Sequence, residues 1–382
     1  MKKSVIIGIV IGLIVIVAGF FLFNNSSSLF KTSEDLSESG TGFQESVGEE
    51  TPEEVEEILN ASPESESITE GCSREFSPTL STGPYYTGPL FDAHFHMPNL
   101  IDFSALEGRD AELAKGHAVD RDVLLDSILC RFNEENVQGA IGFTIGAEEL
   151  LEETLQTAKS FKQKSLGKIN LFLMPQVFSI DSLENIAVSN EGLFEGYGEI
   201  AFYYGEQKNQ NPDDKEFLDI YEMAGKHNLI VMMHPDTQQE SNVENTVRQN
   251  PNVKFLLHGW EIENSVTNIL SKYPNTYYSI DAILIRLPRS GPPLYTTNNK
   301  EEFKLKFTQD YDTMLNNAVN DWKSKIEQYP DRFMWGTDRS DEWHYDEEVS
   351  VLLEEFARDF IAKLDPSVQE KFAYKNAEKL LE

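Results

Sequence analysis

The sequence predicts an α/β protein: a (β/α)8 TIM-like barrel preceded by an N-terminal transmembrane helix and a disordered acidic linker. Three observations predict it. After Tyr85, short apolar runs alternate with longer amphipathic segments, the pattern of repeated β-α units around a parallel sheet. Histidine, glutamate and aspartate stand near the C-terminal ends of those runs, where such a barrel displays its active site. The 382 residues exceed the roughly 250 that a barrel needs, leaving room for an appendage.

The appendage comes first. Val5 to Phe23 is an uncharged, nearly uninterrupted apolar run preceded by Lys2 and Lys3. At roughly 1.5 Å per residue it is long enough to cross most of a bilayer. It has no polar face, which argues against a buried globular helix, and it is longer than the apolar core of a cleaved signal. Residues 1–23 are therefore expected to be a membrane anchor, and the two lysines keep the N-terminus cytoplasmic and the remainder on the outer side.

Residues 24–80 shift to Ser, Glu, Gly and Pro, with thirteen acidic residues and no Lys or Arg between Glu34 and Glu70. Such a segment buries too little apolar surface to fold and reads as a linker, with a short helix expected at Pro52 to Leu59. Asn24, Asn25 and Asn60 begin Asn-x-Ser sequons compatible with glycosylation outside the membrane. Cys72 and Cys130 are the only cysteines. A disulfide between them would tie the linker's end to the first barrel helix in an oxidising compartment, but two unrelated thiols are the preferred reading.

The barrel is expected over 81–382. Strand candidates fall near Leu90 to Phe95, Gly139 to Thr144, Asn170 to Gln176, Gly196 to Tyr203, Leu229 to His234, Val253 to His258, Thr276 to Asp281 and Arg332 to Thr337. Three- and four-residue apolar spacing predicts helices over Arg121 to Asn136, Ala147 to Lys162, Lys215 to His227, Asn264 to Tyr273, Asp312 to Gln328 and Glu347 to Leu364, with a last one over Pro366 to Leu381. Asp281 to Asp310, with its prolines and glycine, is too long for a usual β-α loop and is a candidate lid. A net charge of −33 argues against nucleic acid as a partner, since such a field repels a phosphate backbone.

The chemistry sits at the strand ends. His94 and His96 lie two apart on one strand, so both imidazoles face the same side while Phe95 points away. His234 and His258 each end an apolar strand, and Asp338 follows Phe-Met-Trp-Gly-Thr. Glu199 lies in the fourth strand, where a buried carboxylate needs a cation or hydrogen-bond donors to stay charged. It is either a metal ligand or a carboxylate orienting one of the histidines, and both readings stay open. Asp92 shares the inward parity of His94 and His96 and is a candidate to support them. Trp343 and His344 either line the mouth or pack the last loop, while His117 and His227 read as surface or helix-end residues. Arg286 and Arg289 in the lid are candidates to recognise a carboxylate or phosphate.

Phe-Asp-Ala-His-Phe-His, the later single histidines, Met-Trp-Gly-Thr-Asp and the C-terminal Tyr374 to Leu381 together resemble the amidohydrolase superfamily, in particular its amidohydrolase-related branch. Gly-Glu-Ile around Glu199 also looks like the fourth strand of TatD-type deoxyribonucleases of that superfamily, a branch disfavoured by the acidic charge. The resemblance implies a distorted (β/α)8 barrel with one or two divalent ions, expected to be Zn2+. His94, His96 and His234 would be ligands, Asp338 an additional ligand and proton acceptor, and His258 a ligand to a second ion or a group polarising substrate. Glu199 stands where a carboxylated lysine is absent, so a two-ion site would need it as the bridge; single-ion use is preferred.

The expected function is hydrolysis of a C-O or C-N bond in a small molecule by metal-activated water, with Asp338 taking the proton. A nonoxidative decarboxylase of the same superfamily is one alternative. A membrane-tethered binding module without turnover is the other, and the complete ligand set argues against it.

Overall fold

The computed structural model describes residues 72–98, 100–103, 106, 108, 125–203, 208, 210–281, 297 and 299–382. All of these fall in one compact unit, Glu64–Glu382. The expected membrane span, the helix at Pro52 to Leu59, the sequons, His117, Arg286 and Arg289 lie outside the described residues. Among the described residues no helix is long and apolar enough to cross a membrane.

Eight parallel strands follow one another in chain order: β1 (Leu90–His96), β2 (Val137–Thr144), β3 (Ile169–Leu173), β4 (Gly196–Ala201), β5 (Ile230–His234), β6 (Phe255–Leu257), β7 (Thr276–Asp281) and β8 (Phe333–Gly336). Each pairs with the next, and β8 returns to β1, so the sheet is a nearly closed TIM-like barrel. Its strands are buried on both faces, as parallel strands covered by crossover helices must be. Inside the barrel, Phe91, Ile141, Phe143, Phe172, Ile230, Met232, Leu256 and Met334 form one apolar cluster. A second, larger cluster lies between strands and helices.

The helices are α1 (Leu125–Glu134), α2 (Leu151–Lys164), α3 (Ile180–Ser189), α4 (Lys215–Lys226), α5 (Glu240–Gln249), α6 (Val266–Lys272), α7 (Lys300–Gln328), α8 (Glu347–Ala362), α9 (Pro366–Glu370) and α10 (Asn376–Leu381). In α1 the buried residues Leu125, Ile128, Leu129 and Phe132 recur at helical spacing, so one stripe faces the barrel. From α10, Ala377 and Leu380 enter the interior cluster. The Asn376 amide donates to Pro330 O and Phe333 O at 2.8 and 2.7 Å, which seats this helix at the strands' N-terminal ends, opposite the mouth.

Helix α7 begins at Lys300, twelve residues before the expected start. Asn299 caps it by accepting from Glu302 N at 3.0 Å, and the buried seam through Phe303, Phe307 and Tyr311 continues the apolar stripe upstream. The last part of the expected lid is thus helix; residues 282–296 and 298 lie outside the described residues. Helices α3 and α5 were not foreseen.

Residues 72–80, expected to belong to the linker, are bonded to the barrel. Glu355 of α8 accepts the backbone N–H of Thr79, Leu80 and Ser81 at 2.9, 2.6 and 3.0 Å. Arg358 donates to Tyr86 O and Gly88 O, each at 3.0 Å, and to Glu135 O at 2.7 Å. With Glu354 paired to Arg358 Nε at 2.7 Å and to Arg74, these bonds let α8 bury Glu354, Glu355 and Arg358, charges that would otherwise be costly to desolvate. Residues 72–88 are therefore a strap on the barrel. Cys72 and Cys130 are joined in a disulfide with a Cα–Cα distance of 5.2 Å, which corrects the preference for separate thiols.

The disulfide closes a 58-residue separation, for which chain entropy gives a stabilisation of about 4 kcal/mol at most. Cys130→Ser is expected to lower stability by about 2–4 kcal/mol in urea unfolding, and wild type treated with reductant should match it. Identical unfolding midpoints for wild type, reduced wild type and variant would show that the link contributes nothing.

Candidate metal centre

The seam between β8 and β1 sets the site. Among the described residues it carries a single backbone bridge, Phe95 to Arg339, and the register of β1 against β2 shifts between Asp92 and Phe95. Ala93 lies in the interior cluster, yet His94 and His96 also reach the mouth, so the irregularity re-aims the strand's end inward. Asp92 consequently does not share their parity. Its carboxylate spans the seam and accepts Thr337 N at 2.9 Å, Thr337 Oγ1 at 2.7 Å and His94 N at 3.2 Å. Burial pushes Asp92 up to about 7 despite the opposing pull of Arg339. Asp338, at φ 54°, follows the Thr337 that Asp92 anchors, and its own N–H donates to His94 O at 2.8 Å.

The sequence-predicted residues converge. His94 Nε2 and His96 Nε2 lie 3.4 and 3.3 Å from Asp338 Oδ1, and 3.9 and 3.6 Å from Glu199 Oε2. Ligand atoms about 2.1 Å from a tetrahedral ion stand about 3.4 Å apart, so the two spacings to Asp338 suit a metal site, and the ligand atoms of His94, His96 and Glu199 all lie within 4.8 Å of one another. His94 Nε2 is buried without a hydrogen bond, as expected of a ligand whose partner is an ion, while Nδ1 faces Asp281 Oδ2 at 3.5 Å. The other oxygen, Glu199 Oε1, lies 2.9 Å from His234 Nδ1 and 2.8 Å from His258 Nε2. Those are hydrogen-bond lengths, and a second ion there would require this group to widen by roughly half an ångström.

The grouping differs from the one the resemblance implies. Glu199, rather than His234, stands with His94, His96 and Asp338. Two acidic residues that the sequence reading did not assign complete the cluster. Glu261, just past β6, lies 2.9 Å from His234 Nε2, and Asp281, closing β7, lies 2.6 Å from His258 Nδ1. Asp281 is a carboxylate at a strand end, the same signal that singled out Asp338, whereas Glu261 lies in the turn Trp260–Ile262 beyond β6. Gly259, at φ 100°, makes the first contact fit: a Cβ there would sit 2.3 Å from the His234 ring.

The charges are mutually dependent. Burial opposes ionisation of Glu199, but His258 and His234 overcome it and hold the carboxyl well below its usual range. Burial likewise opposes the His258 imidazolium, while Asp281 and Glu199 carry it well above the ordinary value. The same opposition holds at Asp281, whose pKa His94 and His258 depress.

Outside the cage, His344 is fully buried, and its Nδ1 accepts Ser340 N and Asp341 N at 3.1 and 2.9 Å. The Trp343 ring lies 5.2 Å from Phe303 and 4.0 Å from His344, so both residues pack the last loop. His227 caps the C-terminal end of α4.

A family model described as amidohydrolase matches residues 181–382, more than half of the chain. The chain belongs to the amidohydrolase family. The family match covers Glu199, His234, His258, Asp281 and Asp338, and the barrel is completed by β1 with its two histidines. No curated protein matches. The chain is similar to a solved amidohydrolase from Burkholderia multivorans with bound zinc (12% identity, 77% of this chain and 99% of that one, TM-score 0.49). It is also similar to a probable 2-pyrone-4,6-dicarboxylic acid hydrolase from Acinetobacter baumannii (13%, 77% and 99%, 0.49). A 5-carboxyvanillate decarboxylase from Novosphingobium aromaticivorans, complexed with manganese, is a further likeness (10%, 80% and 99%, 0.46).

Burial pulls the His344 imidazole down to about 3. The unfolded chain therefore binds the extra proton first as pH falls, and the native state loses stability between pH 6.5 and about 3, by about 1.4 kcal/mol per pKa unit at most. His344→Asn is expected to weaken this acid dependence, seen as a smaller stability difference between about pH 7 and about pH 4.5 in urea unfolding. Equal differences in the two proteins would refute it.

Proposed function

We propose that this amidohydrolase-family chain is a metal-dependent hydrolase that cleaves a C-O or C-N bond of a small molecule. The observation that carries the reading is the cage of His94, His96, Glu199 and Asp338 at the barrel mouth, with spacing suited to a divalent ion and Zn2+ as the expected occupant. When bound, such an ion acidifies a water and polarises a carbonyl or phosphoryl oxygen.

The chain's own groups do the rest. Asp338 has the most exposed side chain of the cage, 14% against 9% for His96, so it is the carboxylate a water can reach and the group that takes its proton. It then returns the proton to the leaving group. Glu199 stays ionised inside the barrel because His234 and His258 hold its second oxygen. His258 engages both of its nitrogens, with Glu199 and Asp281, and supports the cage from behind. The hydrolase reading is preferred to a decarboxylase because the partly exposed carboxylate beside the cage suits proton transfer from water.

The expected location is the outer side of a membrane, with residues 1–23 as the anchor and the barrel held out by the linker. The disulfide supports this reading, since such links persist in oxidising compartments.

Elemental analysis of the detergent-purified full chain is expected to find one ion per molecule, lost in His94→Ala/His96→Ala; unchanged metal content in the double variant would place the site elsewhere. Asp338→Asn is expected to retain much of the metal and lose turnover by about 10²–10⁴-fold on a panel of esters, lactones and amides. Carbon dioxide release from carboxylic acids without any hydrolysis would replace the hydrolase with the decarboxylase. On fractionation of cells the chain should sediment with membranes and be cut by protease added from outside; recovery in the soluble fraction would end the anchor reading.

A further inference from the structure

Asp281 is fully buried where β7 meets the mouth, and its two oxygens do different things. Oδ1 accepts the Ser279 hydroxyl at 2.6 Å, which fixes the carboxylate plane. Oδ2 lies 2.6 Å from His258 Nδ1 and 3.5 Å from His94 Nδ1. His258 ends the neighbouring strand, but His94 is on β1, with β8 in between.

The reach across β8 depends on a missing side chain. Asp281 is in register with Gly336, where a Cβ would sit 2.5 Å from Asp281 Oδ1, 2.7 Å from Ser279 Oγ and 3.1 Å from His94 Cβ. Any larger residue would push these three groups apart. The space left by Gly336 thus joins β7 to β1 over the strand that separates them.

We propose that Asp281 is a positioning residue of the metal centre: a single carboxylate facing Nδ1 of both His94 and His258, which directs both Nε2 atoms toward Glu199. This rests on the metal-centre reading above. Imidazole ligands are oriented and made more basic by a carboxylate at the far nitrogen, and removing that partner typically weakens metal binding. Here one carboxylate serves two histidines on opposite sides of Glu199. His94 faces Oε2 and His258 faces Oε1, so a shift of Asp281 would disturb both halves of the cluster together. Asp281 faces the ring nitrogens that point away from Glu199, which separates it from the ligand atoms of the cage.

The test uses the full chain with Zn2+ and with Co2+, comparing wild type, Asp281→Asn and Gly336→Ala. Chelator competition is expected to show metal binding weakened about 10–100-fold in Asp281→Asn, with the ion count at saturation unchanged and the visible spectrum of the cobalt form shifted. Gly336→Ala should move affinity and spectrum in the same direction by displacing His94. Asp281→Asn, which keeps the side chain's shape, carries the test if the alanine variant does not fold. Unchanged affinity and spectrum, with only a lower melting temperature of the metal-free protein, would reduce Asp281 to packing and overturn the proposal. Loss of a whole ion at saturation would overturn it too, making Asp281 a ligand. A wild type that binds no ion would instead bring down the metal-centre reading, and this proposal with it.

Discussion

Four imidazoles and four carboxylates share the mouth of this barrel, and their mutual neutralisation is the constraint on which the rest of the structure depends. Glu199 is the hinge of that balance. Its two oxygens face different histidines, so one buried charge is compensated from both sides. A lone carboxylate at this depth would take up a proton instead. For His234 and His258 the nitrogen that faces away from Glu199 meets a further carboxylate, Glu261 and Asp281 respectively. Removing any one member leaves another buried charge without compensation, which costs more than the lost contact itself.

The barrel supplies rigidity for this arrangement by bringing β1, β4, β5, β6, β7 and β8 to one end. That much was legible in the sequence, because apolar runs buried on both faces are short and continuous and a polar residue closing one is conspicuous. His94, His96, Glu199, His234, His258 and Asp338 were singled out this way, and the fold brings their side chains together. Their pairing was not legible, since which oxygen faces which nitrogen depends on side-chain direction and on the register shift in β1. Asp281 was read as the start of a loop, and Glu261 lay past the strand.

The missed elements have equally specific causes. Helix α5 buries only Val243, Thr246 and Val247, too sparse a stripe to stand out from a polar segment. The strap is held by Glu355 bonding to backbone N–H groups, which every non-proline residue offers, so the composition of residues 72–80 gives no sign of order. The disulfide was weighed but not preferred for a related reason: two cysteines can pair only if the fold brings them together, and it is the docking of the strap beside α1 that does so.

The seam between β8 and β1 shows why the irregular part of the barrel lies where the chemistry does. A regular parallel ladder would keep successive side chains of β1 alternating between interior and exterior, and Ala93 and His94 could not both face inward. Among the described residues, three main-chain bonds still cross the seam, from Thr337 N and Asp338 N to His94 O at 3.2 and 2.8 Å and from His96 N to Arg339 O at 2.9 Å. Asp92 adds side-chain acceptance of Thr337 N, Thr337 Oγ1 and His94 N, each such bond worth about 0.5–1.5 kcal/mol net. Arg339 enters next to it, fully buried and bonded to Glu135 Oε1 at 2.7 Å, and favours the ionised form of Asp92. Anchored through Thr337 and by its own N–H on His94 O, Asp338 adopts a left-handed backbone and turns its carboxylate toward His94 and His96. Asp92 is thus a structural residue whose effect is felt at the cage, two residues from one ligand and one residue removed, through Thr337, from the other.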